Sequence, residues 1–212
     1  LDILASYKIN IFHFHFNDDE AWRVEIPSLP ELTSYGSRKG MTLDEKDFLM
    51  QTYAGNGDPN DLSTTANGYI TADQFVELVK YADNLGIEII PEIETPGHAR
   101  AVIYSMKNRY NKYINTDRKK AEEFIVWDTE DTTSYVSAQG YSDNVLNLAL
   151  PGTYRFVKLV IDELDAMYAK AGVKLKTIHL GGDEVADGAW NNSPAIKRMM
   201  KTNGYSKVRQ IE

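Results

Sequence analysis

The chain has 212 residues, 42% of them hydrophobic and 25% charged, and a net charge of -8, the composition of an ordinary globular domain with a sizeable core. The acidic balance argues against nucleic acid and anionic membrane as partners, and the absence of cysteine excludes disulfides and thiolate chemistry without identifying a compartment. No apolar run is long enough to span a bilayer and no secretory leader is recognisable; because residue 1 is Leu and the chain stops at Ile211-Glu212, both ends are expected to be cut.

Residues 1–8 carry Leu1, Leu4 and Ala5 at helical spacing and read as the last turns of a helix. Ile9 to Phe16 reads as a strand, with Ile9, Ile11, His13 and His15 on one face and Phe12, Phe14 and Phe16 on the other. It runs into Asn17, Asp18, Asp19 and Glu20, an acidic cluster at the strand's C-terminal end, and then Ala21-Trp22-Arg23. Pro27 to Tyr69 is mostly irregular, with a short helical piece expected from Leu43 to Tyr53 and a surface loop from Ala54 to Gly68. Thr71-Ala72-Asp73-Gln74 is a capping box that predicts a helix with Phe75, Leu78, Val79, Ala82 and Leu85 on its apolar face and Gly86 just beyond its end.

Ile87 to Ile93 is the next expected strand, leading to Thr95-Pro96-Gly97-His98. Glu92 and Glu94 flank Ile93; at most one is expected to face inward, and both are assigned to supporting or surface positions. His98 to Met106 is expected to be helical, and Lys107 to Asn147 to be the least regular part, although its aromatic residues argue against disorder. A helix follows from Thr153 to Ala171, then a strand from Leu175 to Leu180 that breaks at Gly181-Gly182 and presents Asp183 and Glu184. Ser193 and Pro194 predict the start of a last helix running to Gly204.

Three strands thus alternate with helices, and each strand ends in polar side chains. That is the layout of the α/β class and of the (β/α)8 TIM barrel, whose active sites lie at the C-terminal ends of the strands. An open doubly wound sheet shares the alternation, but its glycine-rich phosphate loop is missing. A full barrel takes about 250 residues, so residues 1–212 are read as part of one, about strands 2–4 with their helices, truncated at both ends.

Asp183 and Glu184 are the leading site candidates: their Cα atoms are ~3.8 Å apart, and like charges so placed raise at least one carboxyl pKa, which suits proton transfer. Asp18-Asp19-Glu20 and His98 fall on the same rim. His13, His15 and His179 lie within strands and read better as packed, hydrogen-bonded imidazoles. The His13-x-His15 pair also admits a metal-dependent barrel hydrolase, weighed lower because it leaves the acid pair without a role; no metal and no cofactor are assigned. Trp22, Trp127 and Trp190 are more often core than ligand platforms, with Trp190, close behind the acid pair, placed at the edge of a cleft.

These residues carry a family resemblance. His179-Leu-Gly-Gly-Asp-Glu184, Lys8-Ile-Asn-Ile-Phe-His-Phe-His-Phe-Asn-Asp-Asp-Glu-Ala-Trp-Arg23 and Ile90-Pro-Glu-Ile-Glu-Thr-Pro-Gly-His98 resemble, in order, the motifs of the family 20 β-N-acetylhexosaminidases. The resemblance implies a (β/α)8 domain that removes terminal β-linked N-acetylglucosamine or N-acetylgalactosamine from a glycan. It implies Glu184 as general acid/base and Asp183 as the group that orients the substrate's 2-acetamido group, which attacks the anomeric carbon to give an oxazolinium-like intermediate. This family stands among the substrate-assisted exceptions to two-carboxylate hydrolysis. His98 and Asp18 would form a relay to Glu184, and Asp19 and Trp190 are candidate substrate contacts. The family's sugar-binding arginine and the later-strand tryptophans and tyrosine would lie outside the chain, so the 212-residue chain alone is expected to be weak or inactive. An exported location is implied, oligomeric state is left open, and a non-catalytic carbohydrate-binding fragment is the third reading.

Overall fold

The computed structural model describes residues 1–51 and 58–211. In chain order they form α1 (Asp2–Ser6), β1 (Ile11–His15), β2 (Asn17–Asp18), β3 (Ala21–Trp22), α2 (Glu31–Ser34), β4 (Lys39–Gly40), β5 (Leu49–Met50), α3 (Ala72–Asn84), β6 (Glu88–Glu92), α4 (Arg100–Tyr113), α5 (Arg118–Glu122), α6 (Pro151–Lys170) and α7 (Pro194–Asn203), with a last 3-10 turn at Val208–Gln210. β1 and β6 pair in parallel from Ile11↔Glu88 to His15↔Glu92. His179 joins the free edge of β6 through a parallel bridge to Glu92. The three expected strand positions therefore lie side by side in one direction, with β6 in the middle; no closed barrel is formed by the described residues.

The alternation within β1 sets the layers. Phe12 and Phe14 turn inward to the core while Ile11, His13 and His15 stay exposed on the other face. Against the inner face pack Phe75, Val79 and Ala82 of α3, Val102, Ile103 and Met106 of α4, and Phe156, Val160, Leu164 and Met167 of α6. α3 starts where expected, with both bonds of the Thr71/Gln74 capping box formed. α7 starts at Ser193, whose hydroxyl accepts the Ile196 N–H, with Pro194 in the first turn. No helix among the described residues is long and apolar enough to cross a membrane.

Three local expectations are corrected. No helix forms over the described part of Leu43 to Tyr53, whose last two residues lie outside the description. Thr42 Oγ1 accepts the N–H groups of Asp44 and Glu45, and Asp44 accepts that of Lys46; such side-chain capture competes with helix hydrogen bonds, and the segment instead closes on β4 as β5. The expected surface loop appears as such over residues 58–68, with 54–57 outside the description; it is pinned by the buried Asn67, whose Oδ1 accepts the Lys39 N–H and whose amide donates to the carbonyls of Asp58 and Asp61. α4 runs to Tyr113 rather than Met106. Its last turns are held by ion pairs, Arg109 and Lys112 both reaching Glu31 at 3.3 Å, which an apolar periodicity does not register.

The third correction concerns Leu175 to Leu180, which pairs only at His179: its N–H donates to Pro91 O at 3.0 Å, and its carbonyl accepts from Ile93 N–H at 2.9 Å. Extending that parallel ladder by one pair would need the Ile89 carbonyl and the N–H of residue 91. Proline has no N–H, and the Ile89 carbonyl is taken by the Tyr168 hydroxyl at 2.8 Å. The ladder stops where its partners run out.

Candidate active site

Three chain segments converge beyond the C-terminal ends of β1, β6 and His179. The β2–β3 hairpin, paired Asp18↔Ala21, places Asp18 beside the end of β1. The turn after β6 carries His98 to the start of α4. This turn docks on the acid segment: Thr95 Oγ1 donates to Leu180 O at 2.7 Å, and a Cβ at Gly97 would lie 2.9 Å from Asp183 O. His98 (φ +48°) and Glu184 (φ +44°) both hold left-handed backbone conformations, which non-glycine residues adopt at a cost and often at functional sites.

His98 is the centre of the arrangement and only 7% exposed. Its Nδ1 lies 3.1 Å from Asp18 Oδ1 and 3.5 Å from Asp19 Oδ2; its Nε2 lies 3.4 Å from Glu184 Oε2. Burial pulls the imidazole pKa down, but the charges of Asp18 and Asp19 outweigh it and the net direction is up. Glu184 Oε2 also accepts from Gln139 Nε2 at 2.5 Å. The loop bearing Gln139 is anchored beyond it, where Asp143 accepts from Arg100 Nε at 2.8 Å and from the Tyr104 hydroxyl at 2.7 Å.

An open cavity of about 480 Å³ is lined by His15, Asp18, Glu94, His98, Asp183 and Glu184, within the range of small-molecule sites. The four residues expected to do the chemistry, Glu184, Asp183, His98 and Asp18, thus face one space. Two expected substrate contacts do not. Asp19 lies behind His98, buried, accepting the Arg100 N–H at 3.1 Å and the Asn144 amide at 2.9 Å; burial pushes its carboxyl up to about 6 against those hydrogen bonds. Trp190 is 3% exposed, packs with Ala189 and Ile196, and donates its indole N–H to Leu146 O at 3.1 Å; it supports the segment after the acid pair from within the core.

Glu92 and Glu94 depart most from expectation, since both are buried. Residues two apart on a strand share a face, and Glu92 and Glu94 both lie on the buried side. Glu92 gathers the histidines: His13 Nε2 at 2.9 Å, His15 Nδ1 at 3.2 Å and His179 Nδ1 at 2.7 Å. The imidazoles crowd the Glu92 carboxylate and are half-exposed rather than packed. His13, Glu92 and His179 have donor atoms close enough to hold a metal ion, though His179 Nδ1 also receives the Gly181 N–H at 3.0 Å. Glu94 lines the acid cavity with both oxygens lacking a hydrogen-bond partner. Burial first, then the neighbouring Glu92 and Asp183 carboxylates, push it up to about 7. Gln139 carries no signal in the sequence; Glu94 does, through its two-residue offset from Glu92.

A family profile described as "Glycosyl hydrolase family 20, catalytic domain" matches residues 1–212. The chain is 38% identical over 200 residues to a beta-hexosaminidase of Vibrio vulnificus, covering 94% of this chain and 23% of that protein. It is 40% identical over 186 residues to an N,N'-diacetylchitobiase of Vibrio harveyi, covering 87% and 21% respectively. It is similar to the crystal structure of an exo beta-N-acetylglucosaminidase from Vibrio harveyi in complex with N-acetylglucosamine, with a TM-score of 0.76 and 37% identity, covering 99% of this chain and 28% of that one.

Proposed function

Since the chain belongs to glycosyl hydrolase family 20, we propose that it supplies the acid-bearing part of a retaining exo-β-N-acetylhexosaminidase, as about strands 2–4 of a (β/α)8 barrel. The observation that carries this reading is His98 bridging Asp18 and Glu184 at one cavity, with Asp183 on its wall. In this mechanism Glu184 protonates the departing glycosidic oxygen and later takes a proton from water. The 2-acetamido oxygen of the bound sugar attacks the anomeric carbon, and Asp183 stabilises the cationic ring that forms. A fixed anion beside developing positive charge stabilises the transition state more than the ground state. His98, held by Asp18, places its Nε2 against Glu184 and supports the change of protonation state between the two steps.

The names of these relatives, beta-hexosaminidase and N,N'-diacetylchitobiase, support a glycan ending in N-acetylhexosamine as substrate, and an exported location fits such a substrate. The test is hydrolysis of a chromogenic N-acetyl-β-glucosaminide by the full-length protein containing this chain, beside Asp183→Asn and Glu184→Gln, with and without chelator. Chelator-resistant turnover that collapses in both variants is expected. A second reading, metal-assisted hydrolysis, is favoured by the cluster of His13, Glu92 and His179; it predicts turnover that dies with chelator and tolerates both substitutions. No turnover by the folded full-length protein would instead leave a carbohydrate-binding role.

A further inference from the structure

Glu184 stands on an unusual stretch of backbone: Gly181, Gly182 and Glu184 all have positive φ, at +72°, +110° and +44°. Its side chain is 53% exposed, so the carboxyl needs partners to keep one orientation. Both of its neighbours meet the same oxygen. His98 Nε2 lies 3.4 Å from Oε2, beyond the usual N–H···O range, whereas Gln139 Nε2 donates to Oε2 at 2.5 Å. Among the described residues Oε1 has no partner. Gln139 is not one of the side chains that wall the cavity; it reaches the acid from outside.

The turn that carries Gln139 is tied down on both sides, although its tip, Ala138 to Gly140, is exposed. Ser137 is buried; its N–H donates to Tyr141 O at 2.7 Å, its Oγ accepts the Tyr141 N–H at 3.1 Å, and its carbonyl accepts the Gly140 N–H at 2.9 Å. The Tyr135 hydroxyl accepts the N–H groups of Asn144 and Val145 at 2.8 and 3.1 Å. Arg100 fastens the turn to α4, through Asp143 at 2.8 Å and over the Tyr141 ring at 5.2 Å. Arg100 is two residues from His98, so one helix start fixes both groups that meet Glu184 Oε2. A donor held on such a support is preorganised for its contact.

We propose that Gln139 is a positioning residue for Glu184: its amide holds Oε2 and leaves Oε1 to pass the proton. This rests on the hexosaminidase reading. In the first step the Oε1–H bond breaks and the proton goes to the glycosidic oxygen. The bond from that oxygen to the anomeric carbon breaks, its electron pair staying on the oxygen, while the acetamido oxygen bonds to the carbon. Glu184 is left as a carboxylate with the Gln139 N–H on Oε2. In the second step water adds to the anomeric carbon, a proton of that water returns to Oε1, and the acetamido bond breaks. A donor on Oε2 keeps that oxygen an acceptor throughout, so the proton has one site and one direction. Gln139 limits the rotation of the group that transfers the proton.

The experiment compares the full-length protein with Gln139→Met, which keeps the length and loses the amide, and with Gln139→Ala. The substrates are two aryl N-acetyl-β-glucosaminides: 2,4-dinitrophenoxide leaves without a proton, whereas 4-methoxyphenol needs one from Glu184. Both variants are expected to keep kcat/KM within about threefold of wild type on the dinitrophenyl glycoside and to lose about tenfold to a hundredfold on the methoxyphenyl glycoside, in kcat rather than KM. Losses as large on the dinitrophenyl glycoside overturn the proposal, because a merely structural defect does not follow the leaving group. No loss on either substrate overturns it too. Glu184→Gln is the control, expected to show the same dependence more steeply. A Glu184→Gln protein that is indifferent to the leaving group, or absent wild-type turnover, refutes the hexosaminidase reading itself; a steep Glu184→Gln dependence beside unaffected Gln139 variants refutes only the role of Gln139.

Discussion

Gly181→Ala separates two costs that usually arrive together. Gly181 has φ +72°, and so does Gly86 at the end of α3. Alanine in the left-handed region costs roughly 1–2 kcal/mol at either position. A Cβ at Gly86 meets nothing within 4 Å, whereas at Gly181 it meets Glu94 Oε2 at 2.2 Å and Glu94 Cα at 2.9 Å. The carboxylate can swing but the Cα cannot, so overpacking adds about 1–3 kcal/mol. Gly181→Ala is therefore expected to cost about 2–5 kcal/mol in total against about 1–2 for Gly86→Ala. The assay is urea unfolding of both variants in the full-length protein, with kcat/KM on the chromogenic substrate. Because the displaced backbone carries Asp183 and Glu184, a loss of kcat/KM of about a hundredfold is expected at Gly181, as for a reacting group moved by ~1 Å, and none at Gly86. Equal destabilisation by the two substitutions, or an active Gly181→Ala protein, would refute the packing of Glu94 against this turn.

Asp18→Asn, which weakens the 3.1 Å contact to His98, is expected to lower kcat by about tenfold to a hundredfold with KM little changed; an unchanged kcat would remove Asp18 from the relay. Glu94→Gln, neutral at every pH, should show in stability. The unfolded carboxyl ionises from 4.5 and the folded one near 7, so between those values the folded state holds a proton that unfolding releases, and wild type loses stability as pH rises. The variant lacks this loss; its advantage in urea midpoint over wild type is expected to grow across that window, toward an upper bound of about 3 kcal/mol, and a difference that is flat with pH would contradict it. Arg100→Met removes the cationic partner of Glu45 and Asp143, contacts now at 2.5 and 2.8 Å. It is expected to cost about 3 kcal/mol and to loosen the Gln139 loop, read as faster amide exchange around Asp143; unchanged exchange would show that the loop is held elsewhere.

What the sequence made legible was whatever depends on neighbours along the chain. The capping box at Thr71, the Ser193–Pro194 helix start and the inward Phe12 and Phe14 are local patterns, and all appear in place. The grouping of Asp18, His98, Asp183 and Glu184 was also legible, because each follows a strand and parallel strands bring such ends together. What could not be read depended on partners far away. Asp19 is withdrawn by Asn144 and Arg100, and Gln139 reaches Glu184 from an irregular loop. The far half of α4 is held to Glu31 by Arg109 and Lys112, contacts that leave no apolar periodicity. Pro91 was different: its missing N–H was visible from the start, and its effect on the strand after β6 could have been derived.

The single attachment at His179 also bears on what lengths of chain this region can accept. In a paired strand, one added residue slips the register and sends every following side chain to the opposite face. Upstream of His179 there is no ladder to slip. Residues inserted or deleted between α6 and His179 would be taken up in how Val173, Leu175 and Ile178 pack on the core, while the acid pair keeps its aim through contacts at and beyond His179: its N–H on Pro91 O, Gly181 on Glu94, and the Asp183 carbonyl against Gly97. The connection into the site can thus be resized, by drift or by design, without turning Asp183 and Glu184 away from the cavity.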